Sequence, residues 1–176
     1  MLRYLQPGAM YASVWEVDID RLLAMGIKGL LVDLDNTLVE YHRYEASPRL
    51  ERWLASVRSC GLQVCIVSNS RRRTAAERLA QELGVPVIVR AAKPRRGGLR
   101  RAVALLGTEV ASTAVIGDQL FTDVLGGNRL GCFTVLVRPL GRREFVGTRI
   151  TRLVETFAFW LMGRCRSAKG KDGDAI

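Results

Sequence analysis

A chain of 176 residues sits in the range of one compact domain, and its 48% hydrophobic and 25% charged content is the ordinary balance of a soluble globular protein. The apolar stretch 157–162 falls far short of the ~20 residues a membrane span requires, so the expectation is a soluble chain, or at most one peripheral to a membrane. With 27 Lys+Arg against 17 Asp+Glu the formal net charge is +10, which concentrates anions (nucleic acid, acidic lipid or a phosphorylated substrate) without choosing among them.

The N-terminal stretch has no signal-peptide core, because Arg3, Gln6, Pro7 and Gly8 interrupt it. Apolar, β-rich runs follow at 27–34, 62–67, 86–89, 113–116 and 133–137. They are nearly continuous rather than alternating, as in parallel strands covered on both faces. Gly26, Gly61, Gly84, Gly107 and Gly131 each close a helical segment just before one of these runs. Ser47 is placed to cap a helix with Pro48 at its first position. Thr74 and Glu77 have capping-box spacing, and Ala76, Leu79, Ala80 and Leu83 form one apolar helical stripe. Strand–helix alternation of this kind predicts an α/β fold, a three-layer doubly wound parallel sheet.

Beyond the last strand, Ile150, Leu153, Val154, Phe157 and Leu161 form a stripe flanked by Arg149, Arg152, Arg164 and Arg166, with Trp160 at its far end. That pattern reads either as the last helix covering the sheet or as a basic helix at a lipid interface. The expected organisation is one domain over 1–166 that includes this helix, then a flexible polar tail over 167–176. Cys60, Cys65, Cys132 and Cys165 show no C-x-x-C pair and no ligand spacing with the single His42. Such cysteines suit a reducing compartment, and a cytoplasmic location is expected.

In open parallel sheets ligands bind outside the carboxyl ends of the strands. The distinctive polar residues fall at those ends: Asp33 and Asp35, then Ser68 and Asn69, then Lys93, then Asp118. In Asp33-Leu34-Asp35-Asn36-Thr37 two carboxylates at i and i+2 of an extended segment point to one side, where a divalent cation relieves their repulsion. The plainer alternative, a solvated turn capped by Asp and Asn, does not explain the later motifs. Ser68-Asn69-Ser70 offers a hydroxyl and backbone N–H groups at a helix opening, a phosphate site or a simple helix cap. Lys93 can neutralise a phosphoryl group, and only its place in the series separates it from a surface lysine. Asp118 supplies a hard oxygen ligand suited to Mg²⁺. Asp123 holds a metal-bound water, orients Lys93, or merely sits at a helix N-terminus. Tyr41, His42, Arg43 and Tyr44 read as a flap that either contacts substrate or, more plainly, is an ordinary exposed loop, with no catalytic role for His42.

The ordered set Asp33/Asp35, Ser68, Lys93 and Asp118/Asp123 resembles the four motifs of the haloacid dehalogenase (HAD) superfamily in its phosphatase branch. The stretches around Asp33 and from Gly117 to Arg129 are similar to its YqeG-type, subclass IIIA family. The resemblance implies that Asp33 attacks phosphorus and becomes an aspartyl phosphate, while Asp35 serves as acid and then base. It implies that Ser68 and Lys93 hold the phosphoryl oxygens, and that Mg²⁺ sits on Asp33, Asp118 and the backbone carbonyl of Asp35.

The gaps from Thr37 to Ser68 and from Ser70 to Lys93 each have room for one helix and one strand, so no cap domain is expected. An open site suits a large substrate. The resemblance extends to phosphatases of phosphatidylglycerophosphate, an anionic phospholipid that would fit a basic surface and peripheral contact of 149–166 with the inner face of a membrane. Two alternatives stay open. One is a phosphatase of nucleotides or nucleic-acid ends, drawing on Arg71, Arg72, Arg73, Arg95 and Arg96; the other is a basic RNA-binding module with a vestigial site.

Overall fold

The computed structural model describes residues 2–141, so the expectations for the helix over 149–166 and the tail over 167–176 lie outside the described residues. Among the described residues six strands form one sheet: β1 (Ala9–Tyr11), β2 (Gly29–Val32), β3 (Gln63–Val67), β4 (Val87–Ile88), β5 (Thr113–Gly117) and β6 (Phe133–Val137). Their order is β1-β6-β5-β2-β3-β4, and every pair is parallel. Helices α1 (Ile19–Ala24), α2 (Pro48–Ser59), α3 (Arg73–Glu82), α4 (Arg96–Leu106) and α5 (Leu125–Leu130) fill the connections.

The apolar strand runs split their side chains between two cores, as a pleat of period two requires. Leu30, Val32, Val64 and Ile66 join Leu22 of α1, Leu50, Leu54 and Val57 of α2 and Leu79 of α3 in one cluster. Leu31, Cys65, Val67 and Val115 join Leu99, Ala102, Val103 and Leu106 of α4 in the other. Each fully buried Leu or Val contributes about 1.5–3 kcal/mol, so the central strands are fixed by burial on both faces. The three-layer, doubly wound sheet is as expected.

The helix signals fare unevenly. Ser47 caps α2 through a hydrogen bond from the Leu50 N–H, with Pro48 at the first position. Gly107 and Gly131 end α4 and α5 at φ +63° and +103°, where a side chain would be strained. The capping box at Thr74 and Glu77 does not form. Helix α3 already begins at Arg73, so Thr74 lies within it, and Glu77 pairs with Arg73 instead. Strand β1 has no counterpart among the predicted runs. It is three residues long and half exposed, and among the described residues it pairs only with β6, from Ala9↔Val135 to Tyr11↔Val137.

Chain order reverses between β2 and β5, which pair from Gly29↔Thr113 to Val32↔Ile116. A crevice opens at such a reversal, outside the carboxyl ends of the two strands. The link from β2 to β3 holds a loop and α2, and that from β3 to β4 holds α3. Neither contains a cap domain, and no helix among the described residues is long and apolar enough to cross a membrane.

Candidate active site

Backbone pairing carries the sheet one step past its strands and thereby fixes where the polar residues begin. Asp33 N–H donates to the Ile116 carbonyl at 2.9 Å, and Ser68 N–H donates to the Ile88 carbonyl at 2.9 Å. The link from β4 to Lys93 is tighter. Arg90 and Ala92 take φ values of +50° and +56°, a region that costs a non-glycine residue roughly 1–2 kcal/mol. Two side-chain bonds hold the resulting turn. Lys93 N–H donates to Asn69 Oδ1 at 2.8 Å, and Asn69 Nδ2 donates to the Lys93 carbonyl at 3.0 Å.

So clamped, Lys93 reaches inward. Its Nζ has three neighbours at 2.6 Å: Asp33 Oδ1, Asp123 Oδ1 and the Val67 carbonyl. Two of these are hydrogen bonds, to Asp33 and to the Val67 carbonyl, and the third is an ion pair with Asp123. Burial alone would push the Lys93 pKa down, but Asp123 and Asp33 outweigh it and hold the ammonium above its ordinary value. Asp33 shows the opposite balance. Burial pushes its carboxyl up to about 7 against the attraction of Lys93, and the negative charges of Asp123 and Asp35 add to the rise.

Asp123 occupies a π-helical turn, Leu120–Val124, that runs into α5. Its Oδ2 accepts from the Gln119 N–H at 3.2 Å and from the Thr122 hydroxyl at 3.3 Å, and the residue is almost wholly buried. A Cβ on Gly117 would run into this carboxylate, so the close approach requires glycine there. Asp123 thus meets Lys93 while also lying in the first turn of this helix.

Asp33, Asp118 and Asp123 each present a carboxylate oxygen, all within 4.8 Å of one another. Such a buried set of hard oxygens fits a small divalent cation such as Mg²⁺. The Asp35 side chain lies outside this cluster. Instead it meets hydroxyls. Tyr44 donates to Oδ1 at 2.8 Å and Ser68 to Oδ2 at 3.4 Å.

Four segments thus meet at one edge: Asp33 with Asp35, Ser68, Lys93, and Asp118 with Asp123. Asn69 arrives with its carboxamide committed to the Lys93 backbone, which leaves its main chain for any phosphate contact. Tyr44 is the residue that sequence reasoning missed. It is half-buried, packs on the core and bonds to Asp35, where an exposed loop was expected. Its burial, with the bond to Asp35, pushes the phenol up to about 12. Cys65 and Cys132 are buried core residues, while Cys60 is exposed.

A doubly wound parallel sheet with acidic, hydroxyl and ammonium groups gathered at its switch point defines a HAD-type hydrolase. The sequence pattern of the haloacid dehalogenase-like hydrolase family matches residues 15–131, and the chain belongs to that family, in its phosphatase branch. It is 39% identical over 153 residues to a Bacillus subtilis protein named probable phosphatase YqeG, covering 87% of this chain and 88% of that one. It is 35% identical over 160 residues to the chloroplastic phosphatidylglycerophosphate phosphatase 1 of Chlamydomonas reinhardtii, covering 86% of this chain and 60% of the algal protein. Among solved structures, the cobalt-bound deoxy-D-mannose-octulosonate 8-phosphate phosphatase of Haemophilus influenzae superposes with a TM-score of 0.52 at 19% identity. That match covers 64% of this chain and 69% of the other, and it speaks to the fold alone.

Proposed function

We propose that this protein is a Mg²⁺-dependent phosphomonoesterase that works through an aspartyl phosphate on Asp33, with phosphatidylglycerophosphate as its substrate. The observation that carries the reading is Lys93, buried and gripped between Asp33 and Asp123. An ammonium so placed holds a transferring phosphoryl group against a carboxylate nucleophile.

In the first half-reaction an Asp33 oxygen bonds to phosphorus as the bond to the leaving oxygen breaks. The departing electron pair takes a proton from Asp35, and the alcohol leaves. In the second half-reaction water attacks phosphorus and gives a proton to Asp35, and the bond between phosphorus and Asp33 breaks. Ser68 and Lys93 hold the phosphoryl oxygens, and Asn69 keeps Lys93 in place. Asp33, Asp118 and the Asp35 carbonyl would hold Mg²⁺, which offsets phosphoryl charge; Asp123 acts through Lys93.

For the substrate, the support is the uncapped crevice, the basic surface and the name of the algal relative. Residues 149–166 would then contact the lipid surface. Purified protein with Mg²⁺ should release phosphate from phosphatidylglycerophosphate in mixed micelles faster than from soluble monoesters. Clearance of a soluble ester alongside no release from the lipid would overturn the substrate.

Exposed arginines favour one second reading. Arg71 and Arg72 follow Ser70 directly, and Arg95 and Arg96 follow Lys93 and Pro94. They would suit a terminal phosphate on a nucleotide or polynucleotide, and salt-sensitive turnover of 5′- or 3′-phosphorylated oligonucleotides would select it.

A further inference from the structure

The loop that returns from the first motif brings Tyr44 to Asp35, and the hydrogen bonds around it have a direction. Tyrosine has one hydroxyl proton, and Tyr44 donates it to Asp35 Oδ1 at 2.8 Å. The Ser70 hydroxyl, 2.8 Å from the Tyr44 oxygen, must therefore be the donor in that pair. Ser70 Oγ in turn accepts from the Arg72 N–H at 3.2 Å. A second arm leaves the same turn: Ser70 N–H donates to Ser68 Oγ at 2.9 Å, and Ser68 Oγ lies 3.4 Å from Asp35 Oδ2.

The arms are unequal. A hydroxyl 2.8 Å from a carboxyl oxygen makes a bond of full strength, whereas one at 3.4 Å is long and weak. Oδ1 is anchored and Oδ2 is lightly held. The Tyr44 ring cannot easily swing aside, since it packs on the core of the α2 face.

We propose that Tyr44 is a positioning residue for proton transfer, its hydroxyl fixing Oδ1 of Asp35 so that Oδ2 is the oxygen that gives and takes the proton. This rests on Asp35 being the acid and base of the reaction proposed above. Ser70 supports the same geometry by donating to Tyr44. The Ser68 hydroxyl, weakly bound to Oδ2, can turn to a phosphoryl oxygen when Oδ2 carries the proton.

The test compares leaving groups. An alkyl alcohol needs a proton as it departs, while p-nitrophenolate does not. Dependence of kcat/KM on the leaving group therefore reports proton delivery in the first half-reaction. Tyr44→Phe keeps the ring and removes only the hydroxyl. It should lower kcat/KM roughly 10- to 100-fold on phosphatidylglycerophosphate and on glycerol 3-phosphate, but by no more than about 2-fold on p-nitrophenyl phosphate. Asp35→Asn should show the same selectivity with a larger loss. Ser70→Ala should show it with a smaller one, and carries the test should the Tyr44 variant fold poorly. Equal losses on both ester types in Tyr44→Phe, or none, with selectivity intact in Asp35→Asn, would overturn the proposal. If Asp35→Asn itself loses both ester types equally, the assignment of Asp35 as acid fails, and the role of Tyr44 with it.

Discussion

Lys93 Nζ and Asp33 Oδ1 lie 2.6 Å apart, both side chains are buried, and the residues come from different strand ends. The ion pair joins the candidate nucleophile to the group that would bind its phosphoryl cargo. Asp33→Asn preserves shape while removing the attacking charge. Phosphate release should fall by more than about 10⁴-fold, with the folded state retained on circular dichroism. Residual turnover within ten-fold of the parent would remove Asp33 from the chemistry.

Removing the other partner should act on stability as well. Lys93→Met leaves Asp33 and Asp123 buried without their cation, and losing one member of a buried ion pair costs about 3–5 kcal/mol. Urea unfolding in EDTA should show this loss. Added Mg²⁺ should recover part of it, since a divalent cation on the carboxylates replaces the missing positive charge. A variant as stable as the parent in EDTA would mean that the ammonium contributes no net stabilisation.

The elevated Asp33 carboxyl makes a pH prediction. Its ordinary value is 3.8, and burial raises it to about 7 in the folded chain. Between those limits the folded protein holds a proton that the unfolded chain has released. This group's contribution to stability is therefore full below 3.8 and lost as pH rises through about 7. Mg²⁺ binds the ionised form and should reverse the trend. The rise in unfolding midpoint caused by Mg²⁺ should be small at pH 5.5 and larger at pH 8. Equal increments at both would rule out a proton held at Asp33.

The site was legible wherever a residue stood at the end of a doubly buried strand. Runs such as Leu30–Val32 and Val64–Val67 have one solution, and the polar residue that follows must emerge at the edge of the sheet. Tyr44 gave no such signal. Its return to Asp35 depends on Asn36, which takes φ +61°, donates its N–H to the Val39 carbonyl and accepts from the Tyr41 N–H. No periodicity encodes that fold-back. Strand β1 was hidden for a related reason: Met10 is 59% exposed, and its pairing exists only once β6 is in place. The capping box at Thr74 misled because Ser70, four residues earlier, organises the turn before α3.

Glycine at 117 offers a test of how closely the two halves of the last motif must pack. The Asp123 carboxylate fills the space that a Cβ would need, and that carboxylate also bonds to the Gln119 N–H and pairs with Lys93. Gly117→Ala must therefore displace Asp123, and the cost should resemble other overpacked sites, about 1–3 kcal/mol. The shift would pass to Lys93, so kcat should fall about 10-fold or more while KM for the ester changes little. Thermal unfolding and steady-state kinetics on the same preparation check both effects. A stable Gly117→Ala variant with parental kcat would show that Asp123 can move without disturbing Lys93, and that the contact between them is incidental to turnover.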